Sequence, residues 1–269
     1  MTIAGAGHGV AGWRAAGRGA AGVQPAGRMD QDWRAVTGLT AAELPELLVV
    51  EGSWWRRERE RQRLAVLDEV RELGAPDWWW GRWCGHPVVY ACVYGAARTV
   101  EPVPVLGQLG TPAVVQIGSC GALATGMRPG DLVVPAWVRI AEGASAHYGG
   151  GEYAGPAGGL TERLVAVAGD AGHTVWQGAT VSTEVLLRQP PELARSWARE
   201  GLLAVDMETS ATFSAARWCG MACGALLHVW DDVLAGKSWT EPLPPADDAR
   251  RRQAEDELFS LVLRAALGC

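Results

Sequence analysis

The chain has 269 residues, 48% of them apolar, and a mean hydropathy close to zero, which is typical of one large globular domain or two small ones. The net charge of −6 argues against a surface built to bind polyanions, so we expect no nucleic-acid partner. Spanning a bilayer takes about 18–20 consecutive apolar residues, and the sequence has no such run, so we expect no membrane association.

Residues 1–28 are rich in glycine and alanine and contain no acidic residue. They lack hydrophobic periodicity, and they lack the compact apolar segment and cleavage site of a signal peptide. We predict that this extension is disordered and that residues 29–269 form a single domain. Met29 opens a more ordinary sequence, which suggests that translation begins there, and a transit-like segment is the alternative.

From about residue 40, apolar strands alternate with amphipathic helices. We predict strands at 45–50, 86–95, 112–118, 130–140, 178–183, 202–208 and 223–232. Helices are predicted at 56–73, 160–172, 190–201, 209–220 and 247–267. This alternation indicates an α/β fold with a buried, largely parallel sheet and with functional sites at the strand ends.

The strand at 112–118 runs directly into small residues in the stretch "IGSCGAL". Small side chains let a ligand approach the main chain, and successive N–H groups in a turn form a concave site for an anion. We therefore predict an anion-binding turn here, in which the hydroxyl group of Ser119 is a further donor.

Six stretches occur in one order along residues 45–240, namely "EGSWWR", "IGSCGAL", "GDLVVP", "AEGASAHY", "VDMET" and "VWDDVLAGKSW". This series resembles the nucleoside phosphorylases of the purine nucleoside and uridine phosphorylase superfamily. The resemblance implies a three-layer α/β/α sandwich around a mostly parallel, mixed central sheet. It also implies reversible phosphorolysis of an N-glycosidic bond and a homo-oligomer, expected here to be a hexamer or a dimer.

The resemblance places phosphate between two loops. Gly52 and Arg56 fall on the family's Gly-Asp-Pro-x-Arg loop, and Ser119 falls on the glycine-rich segment. An arginine can bind phosphate through two parallel hydrogen bonds, although Arg56 could also be the first residue of a solvated helix face. Gln116 stands where family members commonly have arginine, so we expect weaker phosphate binding from that position.

Met207 and Glu208 match the family's ribose-binding pair, in which the carboxylate accepts hydrogen bonds from sugar hydroxyls. The alternatives are a core methionine and an acid placed by the dipole of the following helix. Asp231 falls where purine-cleaving members have their catalytic aspartate, although Asp231 or Asp232 could instead cap the next loop.

The base pocket is the least determined part of the site. Leu186 stands where purine enzymes often carry an aromatic residue, and His147 matches a histidine near the active site of related enzymes. The Gln/Arg pair of uridine phosphorylases is not clearly present. The identity of the base, a purine, a pyrimidine or a modified base, is therefore open.

We expect a phosphorylase that converts a purine or modified nucleoside to free base and ribose 1-phosphate. It would need no cofactor and no metal, with inorganic phosphate as co-substrate. The alternatives are a nucleoside hydrolase of the same fold and a non-catalytic nucleoside-binding protein. Six dispersed cysteines make no dense disulfide framework, so we expect a cytoplasmic location.

Overall fold

The computed structural model describes residues 31–236 and 240–268, so the extension predicted at residues 1–28 lies outside the described residues. The strands are β1 Leu47–Gly52, β2 Asp68–Glu72, β3 Trp78–Trp83, β4 His86–Val93, β5 Ala113–Ala122, β6 Leu132–Ala141, β7 Tyr153–Ala154, β8 Val175–Thr183, β9 Ala204–Asp206 and β10 Ala222–Asp232. The α-helices are α1 Trp33–Thr37, α2 Arg56–Leu64, α3 Ala96–Thr99, α4 Pro102–Leu109, α5 Leu160–Asp170, α6 Pro191–Arg199, α7 Thr209–Cys219 and α8 Pro245–Leu267. Short 3₁₀ helices lie at Ala41–Glu43, Ala144–Tyr148 and Val233–Ala235. No helix in these ranges combines the length and the hydrophobicity that crossing a membrane requires.

All the strands belong to one mixed sheet, in the order β10-β6-β8-β9-β5-β1-β4-β3-β2, with β7 paired to β6. Strands β4, β1, β5 and β10 are parallel neighbours, whereas the β2–β3–β4 edge is antiparallel. Strand β10 pairs with both β5 and β6, so β5, β9, β8, β6 and β10 close into a ring. The carboxyl ends of β1, β5 and β10 therefore lie side by side.

Alternate side chains of β1 enter two different cores, as expected for a strand buried on both faces. Leu48 and Val50 pack in a core with residues of α4 and α7. Leu47 and Val49 pack in a second core with residues of α5 and α8. The sheet thus lies between two helical layers, and the predicted α/β/α sandwich is confirmed.

The single helix predicted at 56–73 is wrong in its second half. Helix α2 ends at Leu64, and residues Asp68–Glu72 form strand β2, which pairs with the tryptophan-rich strand β3. Periodicity alone did not separate the two elements because charged residues run through both. A neighbouring strand, which local sequence does not reveal, determined the outcome.

The turn predicted after residue 118 is also absent. Strand β5 continues to Ala122, paired with β10 on one side and, at Gly121 and Ala122, with β9 on the other. Two flanking strands hold the main chain of "IGSCGA" in an extended ladder. This segment therefore lines the site as a strand, and it does not form a nest of successive N–H groups.

Candidate active site

A cavity of about 320 Å³ opens at the carboxyl ends of β1, β5 and β10. Six of the predicted site residues line it: Gly52, Ser119, Leu186, Met207, Glu208 and Asp231. The structure thus brings together residues from five separate stretches of the chain. The parallel strands β1, β5 and β10 bring Gly52, Ser119 and Asp231 together at their carboxyl ends. Met207 and Glu208 reach the same cavity from β9, which pairs antiparallel with the end of β5.

Glu208 lies just before α7, and its side chain faces the end of β1. Its Oε1 accepts a hydrogen bond from the backbone N–H of Gly95 at 2.7 Å. Burial, together with the neighbouring carboxylate of Asp206, raises the pKa of Glu208 to about 8. A carboxyl group in this state can both donate and accept hydrogen bonds, as recognition of sugar hydroxyls requires.

Asp206 holds the start of α7 in place. It accepts hydrogen bonds from the hydroxyls of Ser182 and Thr209 and from the backbone N–H groups of Glu208 and Thr209. Burial raises the pKa of Asp206 as well, but these four donors counteract it. Within the pair, the four hydrogen bonds favour the charged form of Asp206 more than that of Glu208.

Gly52 is required by close packing. A Cβ atom at this position would overlap the carboxylate of Glu208, so a larger residue would displace that side chain. Gly52 also pairs with Gly118 of β5 in the sheet. A Cβ atom added to Gly118 would come to 3.0 Å from the carbonyl oxygen of Gly52. Gly52 thus lets β1 approach the carboxylate of Glu208, and Gly118 lets β5 approach β1.

Asp231 and Asp232 have separate roles in the structure. The side chain of Asp232 accepts hydrogen bonds from the backbone N–H groups of Leu234 and Ala235, at 3.0 and 3.2 Å, and so caps the next 3₁₀ helix. Asp231 instead lines the cavity, and burial, followed by the charge of Asp232, raises its pKa to about 6. A carboxyl group with this pKa is suited to proton transfer near neutral pH.

Gln116 and Ser119 do not share a face of the sheet. The Oε1 of Gln116 accepts a hydrogen bond from the hydroxyl of Thr209 on α7, at 2.8 Å. Ile117 packs in the core that contains α8, and Ser119, two residues further along the strand, lies on the same side. The structure accordingly brings Ser119 to the cavity and leaves Gln116 buried beneath α7.

Arg56 is exposed at the start of α2 and is not among the residues that line the cavity. Its Nη1 donates to Asp77 at 2.7 Å, and its Nε lies 3.7 Å from Glu60. Arg59, one helical turn later, is buried and does line the cavity. Five arginines lie among residues 56–63, so the sequence pattern alone could not indicate which of them is buried.

His147 and Leu186 have different positions relative to the cavity. His147 is exposed in the 3₁₀ helix Ala144–Tyr148, and it does not line the cavity. Leu186 does line it, from the segment between β8 and α6. Aromatic residues that the sequence analysis did not assign, Trp54, Trp55, Tyr94 and Trp230, supply much of the wall.

His228 is a further lining residue without a sequence signal for function. It lies on β10 in register with Ser119 of β5, in a strand that reads as ordinary core. Side chains alternate between the two faces of a strand, so the sequence could have suggested that His228 shares a face of β10 with Leu226, which packs in the core that contains α8. Only the structure places Arg59 and Glu255 beside it in the cavity wall.

Comparison with known proteins gives consistent results. Residues 81–267 match the family model described as "Phosphorylase superfamily". A guanosine phosphorylase from Halorubrum lacusprofundi is 31% identical over 61% of this chain and 67% of its own length. A uridine phosphorylase from Haemophilus influenzae is 28% identical over 85% of this chain and 95% of its own length.

A solved structure of uridine phosphorylase from Vibrio fischeri ES114 has the same fold. It superposes with a TM-score of 0.73 at 20% identity, covering 85% of this chain and 94% of that chain. The family match extends from β3 to the end of α8, and it includes every strand end around the cavity except that of β1. The chain therefore belongs to the phosphorylase superfamily and is an enzyme of the nucleoside phosphorylase type.

Proposed function

We propose that this enzyme cleaves a purine or modified nucleoside by phosphorolysis and releases the free base and ribose 1-phosphate. The observation that carries this proposal is the presence of Glu208, Asp231 and Ser119 on different walls of one cavity. Inorganic phosphate is the co-substrate, and the reaction needs no cofactor.

The ribose would bind against Met207 and Glu208. Both line the cavity, and Glu208 is held by the backbone N–H of Gly95. Its carboxyl group can donate one hydrogen bond to a sugar oxygen and accept another from a sugar hydroxyl. The thioether of Met207 offers an adaptable apolar surface for the sugar ring.

The base would lie beside Asp231. In the reaction, an oxygen atom of phosphate forms a bond to C1′ of the ribose as the bond between C1′ and the base nitrogen breaks. The electron pair of that bond goes to the base, and Asp231 donates its proton to N7 of a purine. Because the pKa of Asp231 is about 6, proton donation is feasible near neutral pH.

A purine is favoured over a pyrimidine by this placement of Asp231, since a purine presents a ring nitrogen that can receive the proton. The relatives named above include enzymes for guanosine and for uridine, so sequence similarity does not choose between the bases. The tryptophan-rich wall of the cavity suits a large flat base.

A panel of purine, pyrimidine and modified nucleosides, assayed for free base with and without phosphate, tests the proposal. We expect base release that depends saturably on phosphate, with ribose 1-phosphate as the second product. Full-rate release of free ribose without phosphate would instead identify a nucleoside hydrolase. Binding of nucleosides without any turnover would identify a non-catalytic binding protein.

The hydrolase is the second candidate because of one observation. Neither Arg56 nor Gln116 lines the cavity, although the family resemblance assigns phosphate to those positions. A phosphorylase therefore needs another cation for its phosphate.

A further inference from the structure

Part of the cavity wall is formed by a group of buried charges between α2, α8 and the ends of β1 and β10. We call this group the buried charge cluster; its members are Glu51, Arg59, Arg63, Arg251 and Glu255. Arg63 donates to both oxygens of Glu51, at 2.9 and 3.0 Å. Arg59 and Arg251 both pair with Glu255, the latter at 3.2 Å. Arg251 also pairs with Asp248, at 2.9 Å, so three guanidinium groups meet three carboxylates here.

His228 lies against this cluster, and its imidazole has no side-chain hydrogen-bond partner among the described residues. The residue is 2% exposed, and the backbone of Gly118 interacts with its ring without reaching good hydrogen-bond geometry. Its Nε2 is 3.8 Å from Oε1 of Glu255, beyond hydrogen-bond distance. Leaving a buried polar group unpaired is costly, so an unpaired imidazole in a cavity wall indicates a ligand that pairs with it.

The electrostatic potential at His228 favours an anion. Burial, followed by the guanidinium groups of Arg251, Arg59 and Arg63, lowers the pKa of His228 to about 3. Burial disfavours charge of either sign, but the three guanidinium groups favour negative charge at this position. The imidazole is therefore neutral in the absence of ligand, and it can donate one hydrogen bond to an anionic oxygen.

Two further donors face the same part of the cavity. Ser119 pairs with His228 across β5 and β10 and lines the cavity beside it. Arg59 also lines the cavity; its Nη1 donates to Gln62 and its Nη2 pairs with Glu255, which leaves other N–H groups for a ligand. A guanidinium, a hydroxyl and an imidazole from three different elements match an oxyanion with several acceptor oxygens.

We propose that inorganic phosphate binds at this buried end of the cavity, held by Arg59, His228 and Ser119. This inference rests on the proposed function, and it supplies the cation that Arg56 and Gln116 do not bring to the cavity. Glu255 keeps Arg251 as its partner when Arg59 turns to the phosphate, so no buried carboxylate is left uncompensated.

The test compares Arg59→Lys, Arg59→Gln/Glu255→Gln and His228→Leu with the control Arg61→Gln, an exposed residue of the same helix. Calorimetric titration with inorganic phosphate measures binding directly, and steady-state kinetics give KM for phosphate and for nucleoside. We expect each of the first three variants to bind phosphate about tenfold more weakly or worse, with the nucleoside KM changed less than about twofold. The paired Gln variant removes both charges together, so it keeps the test valid if a lone charge disrupts folding.

If His228 had a purely structural role, the substitution His228→Leu would lower the melting temperature and raise the KM for both phosphate and nucleoside. We expect His228→Leu to melt no lower than the wild type, since it removes an unpaired buried group. Wild-type phosphate affinity in the Arg59 and His228 variants, or loss of affinity in Arg56→Gln alone, would overturn the subsite. Phosphate binding that depends on Arg59 and His228, with no nucleoside cleaved, would support the subsite and refute the proposed function.

Discussion

The ionisable side chains of the site differ in the number of hydrogen bonds that they receive. Asp206 accepts four, whereas Glu208 accepts the N–H of Gly95 and otherwise faces the cavity. Burial raises the pKa of both carboxyl groups, and the hydrogen bonds to Asp206 counteract this effect there. Glu208 has fewer such donors and a pKa of about 8, so its carboxyl group can act as both donor and acceptor.

Replacing Asp231 by asparagine should lower kcat by roughly 10²-fold, because an amide cannot transfer a proton. In the wild type, the proton is present below a pKa of about 6 and is lost above it. We therefore expect kcat/KM to fall about tenfold per pH unit above pH 6. Asp231→Asn should show no such decline.

Asp232→Asn is the matched control, since asparagine can also cap the loop that Asp232 caps. It should retain the maximal rate and a decline at high pH, but the decline should begin at a lower pH because the charge of Asp232 no longer raises the pKa of Asp231. A wild-type rate in Asp231→Asn would contradict the role of Asp231 as the acid.

Gly52→Ala should raise the nucleoside KM about tenfold or more, because the new Cβ displaces the carboxylate of Glu208. Gly151→Ala is the control, as a Cβ there meets no atom within 4 Å. Steady-state kinetics with each nucleoside that the enzyme cleaves measure the effect. An unchanged KM in Gly52→Ala would separate Glu208 from sugar binding.

His228 should make the fold sensitive to acid. Its pKa is about 3 in the folded protein and near 6.5 in the unfolded chain, so below pH 6.5 the unfolded state binds the extra proton. The free energy of unfolding is therefore not reduced by His228 above pH 6.5, and it declines as the pH falls from 6.5 towards 3. Between pH 7 and pH 5 this group should remove about 2 kcal/mol from the free energy of unfolding.

Denaturant unfolding of the wild type and His228→Leu at both pH values isolates that contribution, because all other groups titrate alike in the two proteins. The wild type should lose about 2 kcal/mol more than the variant. Equal losses would mean that His228 is hydrogen-bonded or solvated in the folded protein.

At the scale of elements, an arginine joins helix α2 to helix α8 and to strand β1. Arg63 is 2% exposed; it donates to both oxygens of Glu51 and to the backbone carbonyls of Glu255 and Asp256. Tyr90 of β4 donates to the same carboxylate at 2.8 Å. These contacts fix α2 above the cavity, and they hold Arg59 at its wall.

Arg63→Met should lower the free energy of unfolding by about 3–5 kcal/mol, because it leaves Glu51 as a buried charge without its partner. Urea unfolding measures the loss. The double variant Arg63→Met/Glu51→Gln should recover part of it, since no uncompensated charge remains. Equal stability of the single and double variants would show that the cost comes from packing and not from the unpaired charge.

A β-bulge in β10 lies at the cavity, next to Asp231. Val229 pairs with Cys120 and Asp231 pairs with Gly121, so Trp230 is the extra residue of the bulge. The ring of Trp230 stacks on Trp55 with centroids 5.2 Å apart, and the guanidinium of Arg251 lies 4.0 Å from its centroid. The bulge therefore shifts the direction of Asp231 and closes the cavity beside α8.

At the scale of the whole molecule, the mouth of the cavity exposes aromatic surface. Trp54, Trp55 and Tyr94 are 46%, 42% and 36% exposed, respectively, and all three line the cavity. Trp54 and Tyr94 also contact each other, with ring centroids 5.6 Å apart. A cluster of exposed aromatic rings is typical of a surface that another molecule covers.

We predict that a second copy of the chain covers this mouth and that the enzyme is a homo-oligomer, a hexamer or a dimer. Light scattering at micromolar concentration should give a multiple of the 28.5 kDa chain mass. Trp54→Glu, which introduces a charge at the mouth, should shift the equilibrium towards monomer, whereas Val66→Glu, at an exposed turn residue after α2, should not. An active wild-type monomer would contradict the prediction.

The sequence by itself determined the alternation of strands and helices and the strand ends that carry Gly52, Ser119, Glu208 and Asp231. Period and composition are local properties, so they predict the elements, and the parallel strands β1, β5 and β10 bring their carboxyl ends together. Only the tertiary structure shows that residues 68–72 are a strand, because the outcome depends on the partner strand β3. It also selects which arginines of α2 are buried and which face of β5 each side chain takes, since both depend on α7 and α8, which lie far away in sequence. The cavity wall formed by Arg59, His228 and Glu255 therefore has no local signature, because its three residues meet only when α2, β10 and α8 pack together.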